Sequence, residues 1–233
     1  MMSTERHRDN QVIEGRTVFI TGAFGGIGQA LVQSFLDAGV GRVIATSRVP
    51  RVASDARIEC VVLDVCDVAS VASVADRYDV DILVNNSGVN ENSAPLVDTA
   101  LESARAEMEA NYFGVMNMCC AFAPRMAERG GGVIVNMLSR SVMNVVPQMA
   151  SYCASKAAAW ALTQGFRAEL GGKGIGVIAI FPEATDTRLT AHLNKPKLAP
   201  KTVADATVAA IRQGVADQYV RLEAVKPVPQ GAA

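Results

Sequence analysis

Short unbroken runs of valine, isoleucine and leucine alternate along the chain with longer stretches whose apolar residues recur every three or four positions. The runs fall at Thr17–Ile20, 42–46, 58–63, 81–84, Gly132–Met137, 175–181 and 217–221. The periodic stretches fall at 27–38, 68–77, 101–128, 152–170 and 202–213. An unbroken apolar run predicts a strand buried on both faces, because a half-exposed strand alternates apolar with polar. Helices between such strands supply the cover on both faces and make the strands parallel. The predicted fold is α/β, a single-domain doubly wound parallel sheet over residues 15–225. Polar residues 1–14 and the proline-containing segment 226–233 are expected to be loose tails.

Composition narrows the picture. Half of the 233 residues are hydrophobic and 19% are charged, which excludes disorder over most of the chain. A net charge of −1 gives no basic field for nucleic acid or an anionic membrane, so neither is expected as a partner. No apolar run approaches the ~18 residues of a spanning helix, and the first eleven residues hold no apolar leader segment, so a cytoplasmic protein is expected. The five cysteines form no CxxC pair and predict no metal site; reduced thiols filling core space are expected.

The candidate chemistry begins at Thr21-Gly22-Ala23-Phe24-Gly25-Gly26-Ile27-Gly28, directly after the first strand and opening a helix. Glycines at that junction allow a tight turn, close approach of a pyrophosphate to the backbone, and close packing of helix on strand. The free amides and positive dipole end of the helix then face the phosphates. A glycine pattern alone is weak evidence, and an ordinary strand-to-helix turn reads the same way.

The spacing TGxxxGxG resembles the signature of the short-chain dehydrogenase/reductase family, a Rossmann-type fold. Further elements of that pattern follow in order. Asn85-Asn86-Ser87-Gly88 resembles the family's NNAG motif with Ser for Ala, and Asp64, followed by Val65, matches its adenine-contacting acid. Asn111, Ser139, Tyr152 and Lys156 match the catalytic tetrad, with Ser139 thirteen residues before the YxxxK frame. The resemblance spans residues 15–222. It implies that Tyr152 and Lys156 also contact the nicotinamide ribose, and that Pro182, Thr185 and Thr187 line the nicotinamide. It further implies that Asn111 holds a water linking Lys156 to bulk.

The chemistry of the tetrad follows from elementary considerations. Tyr152 and Lys156 lie four apart and share a helix face. About one free phenol in a thousand is ionised at pH 7. A neighbouring ammonium is expected to lower the Tyr152 pKa by ~1–3 units, making it a general acid for carbonyl reduction or a base for alcohol oxidation. Ser139 would donate to the substrate oxygen as charge develops there.

The end of the second strand bears on the cofactor. An acid there would hydrogen-bond the adenosine ribose 2′-hydroxyl and repel a 2′-phosphate. This chain has Ser47 and then Arg48, so NADP(H) is expected over NAD(H), with Arg51 or Arg42 as possible helpers. Gly25 stands where many NADP-preferring relatives carry a basic residue.

Two segments should shape the substrate site. After the sixth strand, where the family has Pro-Gly, the chain reads Pro182-Glu183, and Glu183 is either a polar group in the pocket or an exposed side chain on an altered turn. Residues 188–201 form the expected lid; they hold Arg188, Lys195, Lys197, Lys201 and His192 and no acid, and their prolines discourage a long helix. The opposite wall should come from Arg140, Met143, Asn144, Val145, Val146, Gln148 and Met149. The expected partner is a medium-sized, partly apolar carbonyl or alcohol. The resemblance also implies a homodimer or homotetramer through helices 101–128 and 152–170. Two other readings stay open: a family member with a non-reductive net reaction, and a non-catalytic cofactor-binding regulator.

Overall fold

The structure is a computed structural model that describes residues 12–222. The strands are β1 (Thr17–Ile20), β2 (Arg42–Ser47), β3 (Ile58–Val62), β4 (Ile82–Asn85), β5 (Gly132–Met137), β6 (Ile175–Pro182) and β7 (Asp217–Val220). They form one seven-stranded parallel sheet in the order β3-β2-β1-β4-β5-β6-β7. The helices are α1 (Gly26–Asp37), α2 (Val68–Arg77), α3 (Ala100–Met108), α4 (Gly114–Glu128), α5 (Ala150–Leu170) and α6 (Pro200–Gln213). The strand order reverses between β1 and β4, which opens a crevice beyond their carboxyl ends.

The two faces of the sheet are covered separately, as the period of two along a strand requires. Val18 and Ile20 of β1 join Leu31 and Phe35 of α1 and Val203 and Ile211 of α6 in one core. Phe19, pointing the other way, packs with Val71 and Val74 of α2 and Met118 and Phe122 of α4. A smaller cluster of Leu138, Ala159 and Phe181 anchors α5 near the site, with Trp160 edge-on to Phe181 and Tyr219 stacked upon it.

Three readings of the sequence need correction. The stretch expected as one helix over 101–128 is α3 and α4 joined by a π-helical turn, Glu109–Phe113. The wider turn brings Asn111 inward, where it is fully buried, and lets Gly114 lie flush against Val65. The lid does lack a long helix, as its prolines predict, and Pro200 instead opens α6 at a first-turn position where a missing amide hydrogen costs nothing. Residues 12–14 are not a loose tail: Ile13 is buried in the core, and Glu14 pairs with Arg212 at 2.9 Å. The rest of the expected tails, 1–11 and 223–233, lies outside the described residues. Of the cysteines, Cys119 and Cys153 are buried, whereas Cys120 is exposed and fills no core space.

A buried polar chain fixes the sheet beneath the site. Asn85 Nδ2 donates to Asn136 Oδ1 at 2.8 Å, and Asn136 Nδ2 donates to Thr163 Oγ1 at 2.9 Å. It joins β4, β5 and α5 just below Ser139. Removing its centre leaves the buried Asn85 amide with only a 3.4 Å contact to Cys119 Sγ and takes the donor from the Thr163 hydroxyl, which still gives its own proton to the Ala159 carbonyl. Asn136→Ala is therefore expected to cost about 2–4 kcal/mol, read by urea unfolding.

Candidate active site

A cleft of about 1110 Å³ opens over the carboxyl ends of the strands. At one end lies the glycine loop. A Cβ on Gly28 would sit 2.1 Å from the Gly22 carbonyl oxygen, so only glycine allows α1 to start this close to β1. Gly25 caps α1 in extended conformation, with no side-chain acceptor on the first amides and no acid in the first turn. These amides face the cleft as an anion cradle. Gly22, Phe24, Gly25, Gly26, Ile27 and Gly28 all line it, and Thr187 packs against Gly26 from across the cleft.

The loop is held from β4. Thr21 Oγ1 accepts from the amides of Asn86 and Ser87, each at 2.9 Å, and Asn86 Nδ2 donates to the Thr21 and Gly22 carbonyls at 3.0 and 3.1 Å. The Asn86 side chain thus shapes the glycine loop, while Asn86, Ser87 and Gly88 line the cleft.

Beyond β2, Ser47 Oγ is turned back onto Val49, donating to its carbonyl at 2.9 Å and accepting from its amide at 3.1 Å. Arg48 is exposed on the cleft wall with Ser47, and so is Arg51, whose guanidinium lies 5.5 Å over the Phe24 ring. Arg42 is not available as a helper: it starts β2, at the amino ends of the strands and away from the cleft, and pairs with Glu59. Asp64 and Val65 line the same end, with Asp64 Oδ1 accepting from the Cys66 amide at 3.0 Å. Burial pushes the Cys66 thiol up to about 11.

The candidate tetrad converges at the middle of the cleft. Lys156 is almost fully buried on α5, and its Nζ donates to the Met137 carbonyl at 3.0 Å. Loss of hydration lowers its pKa to about 8. Tyr152, one helical turn earlier, has its phenol pushed up to about 12. Desolvation is the main cause, and a hydrogen bond from Ser139 opposes it. The expected lowering of the phenol by Lys156 is absent from this geometry: desolvation raises it, and Lys156 is not among the groups that shift it. Ser139 Oγ also accepts from the Ser141 amide at 3.2 Å.

Asn111 sits behind the other three. Its Oδ1 accepts from the Val89 amide, and its Nδ2 donates to the Val89 carbonyl and to Ser155 Oγ, all at 2.9 Å. Gly88 fits between Asn111 and Lys156: a Cβ there would lie 2.8 Å from Asn111 Oδ1 and 3.2 Å from Lys156 Nζ. The Asn111 side chain is occupied in pinning the 88–89 backbone.

The remaining expected residues divide. Pro182, Glu183, Thr185 and Thr187 line the cleft on one side, and Arg140, Asn144, Val146 and Met149 on the other. Met143, Val145, Gln148 and His192 do not; they are exposed on outward-facing loop residues that no packing turns inward. Glu183 is neither strained nor fully exposed. It has no positive φ, and its carboxylate lies 3.5 Å from Arg140. The lid is tied rather than free: Thr185 bridges Leu198, and Lys197 pairs with Asp186 at 3.2 Å. Lys201 pairs with Asp205, leaving Arg188 and Lys195 as the lid cations that line the cleft.

Sequence reasoning missed Leu193 and Leu222 on the substrate side and Glu91 opposite. It also missed Glu107, a buried carboxylate that accepts from the Glu91 amide at 2.9 Å. The only sequence signal for Glu107 is its place one turn before Asn111.

The profile of the short chain dehydrogenase family matches residues 16–198. The chain belongs to that family. The chain is similar to a short chain dehydrogenase from Burkholderia cenocepacia J2315 whose crystal structure is in complex with NADP. The two are 39% identical with a TM-score of 0.86, over 90% of each chain. It is also similar to 3-ketoacyl-(acyl-carrier-protein) reductase from Brucella melitensis complexed with NADH. There the identity is 26% and the TM-score 0.82, over 89% of this chain and 97% of that one. Mycobacterium tuberculosis has a protein named as an oxidoreductase, EphD, that is 34% identical over 188 residues, which is 75% of this chain. The match takes in 32% of EphD, so the chain spans about a third of that relative's length. Among the described residues no helix is long and apolar enough to cross a membrane, and no acid, histidine and cysteine group is set to hold a metal.

The buried ammonium makes a stability prediction for this family member. The folded chain keeps the Lys156 proton up to about pH 8, the unfolded chain up to about 10.5. Below pH 8 the folded state bears the whole desolvation penalty, and stability rises with pH between about 8 and 10.5, where only the unfolded chain keeps the proton. Lys156→Met is expected to stabilise the fold at pH 7 by on the order of 2–3 kcal/mol. The gain should shrink at pH 9.5 and vanish above 10.5, as read by denaturant unfolding at each pH.

Proposed function

We propose that the chain is an NADP(H)-dependent oxidoreductase that transfers a hydride between nicotinamide and the carbonyl or secondary alcohol of a medium-sized, partly apolar substrate. The observation that carries this reading is one continuous cleft. It runs from a glycine loop with free helix amides to a wall on which Ser139, Tyr152 and Lys156 stand together. The dinucleotide, when bound, supplies the hydride.

The amides of α1 and Thr187 would hold the pyrophosphate, Asp64 and Val65 the adenine, and Pro182 and Thr185 the nicotinamide. Lys156 would hold the nicotinamide ribose together with Tyr152. Arg48 would take the 2′-phosphate, since its guanidinium is exposed on the cleft wall where no acid stands. The relative bound to NADH leaves the preference between the two dinucleotides to experiment.

Within this reading, burial keeps the Tyr152 phenol protonated at neutral pH, which suits it to give its proton to a carbonyl oxygen. Ser139 would donate to the developing alkoxide. Lys156, still mostly charged at pH 7, would steady the charge left on Tyr152. Val146, Met149, Leu193 and Leu222 give the substrate half an apolar lining, with Arg140, Asn144 and Glu183 as its polar part. A homodimer or homotetramer belongs to the same reading. Exposed Leu101, Phe113 and Met116 and the exposed alanines 154, 157 and 161 are the surfaces that support it.

Tyr152→Phe is expected to lose about a thousandfold in carbonyl reduction while keeping its affinity for NADPH. Nicotinamide fluorescence titration should give an NADPH affinity about 10–100-fold weaker in Arg48→Ala, with NADH unchanged. Full activity in Tyr152→Phe would overturn the catalytic reading. Equal NADPH and NADH affinities in the wild type would overturn the cofactor preference.

A further inference from the structure

We infer that Glu183 is a positioning latch that fixes the substrate half of the cleft by tying the exits of three adjacent strands together. The inference rests on the reading above for which end of the cleft takes substrate. Glu183 follows β6, which lies between β5 and β7 in the sheet. Its Oε1 faces Arg140 Nη1 at 3.5 Å, its Oε2 accepts from the Leu222 amide at 2.9 Å, and its own amide donates to the Val220 carbonyl at 2.9 Å. One carboxylate from the middle strand therefore reaches the chain leaving each neighbour. Glycine at this position could make neither side-chain contact.

Each contact bears on the site. Arg140 is the first residue of the 3₁₀ turn Arg140–Val142 that Ser139 caps, so holding Arg140 fixes the direction in which Ser139 leaves β5. Residues 143–148 beyond it are exposed, apart from a weak contact of the Val146 amide with Cys153 Sγ at 3.5 Å. On the other side, holding the Leu222 amide keeps that residue against the cleft it lines. Arg140 and Glu183 are both largely shielded, at 27% and 29% side-chain exposure, so their attraction is screened less than that of a surface pair. Both carboxylate oxygens are used, which leaves Glu183 a holder of other groups rather than a proton carrier.

Hydrogen exchange followed by peptide mass spectrometry separates the two arms. Glu183→Gly should speed exchange about tenfold in both 139–143 and 219–222. Glu183→Gln, which keeps an acceptor for Leu222 but loses the charge, should loosen 139–143 alone, as should Arg140→Met. Exchange in α6 serves as the control for general destabilisation. In NADPH-coupled reduction of a panel of aromatic and aliphatic ketones, Glu183→Gln and Arg140→Met should lower kcat about tenfold, with NADPH affinity unchanged. Unaltered exchange in both segments, loosening that extends equally to α6, or a kcat equal to wild type overturns the latch. A wild type that reduces no member of the panel counts against the proposed reaction; the exchange pattern alone then decides the latch.

Discussion

The absence of a side chain at Gly88 is the constraint on which the site depends. Asn111 on one side and Lys156 on the other approach so closely that even a methyl group would collide with Asn111 and crowd Lys156. Asn111 can lie there because the π turn between α3 and α4 brings it inward, and its side chain then grips both backbone groups of Val89 and the Ser155 hydroxyl. The β4 exit, the α3–α4 junction and α5 meet at this point. Because α5 carries Tyr152 and Lys156, the same contact sets their depth relative to the glycine loop.

That placement is energetically unfavourable in itself. An ammonium and a phenol are withdrawn from water, and both are shifted toward their neutral forms. The structure tolerates this because the surroundings are rigid. The Asn85–Asn136–Thr163 chain fixes β4, β5 and α5 from below, and the aromatic cluster of Trp160, Phe181 and Tyr219 packs α5 against β6. Stability supplied by the core is spent on holding a buried ammonium and a half-buried phenol at the strand ends, as the reading of the cleft as a proton-transfer site would require.

The strands were legible because burial on both faces leaves continuous apolar runs such as 132–137, and the glycine loop because its context is a strand followed by a helix. The break at 109–113 was not, since one wide turn barely alters helical periodicity. The substrate wall was legible only in part. Met143, Val145 and His192 lie in loops whose outward direction no local pattern records, while Val146 and Met149 face in. The Tyr152 shift was misjudged because an argument from sequence spacing counts a neighbouring charge but cannot count lost water. The contacts of Glu183 depend on which strands flank β6, which becomes known only with the sheet order.

The central claim is that Tyr152 faces the point at which hydride arrives on a carbonyl carbon. The most direct test uses NADPH deuterated at C4 of the nicotinamide, on each face in turn, with the ketone panel and mass analysis of the alcohol. The account predicts one deuterium on the carbinol carbon from one face only, and none from the other. Cofactor that binds tightly but delivers no label to any product would contradict it.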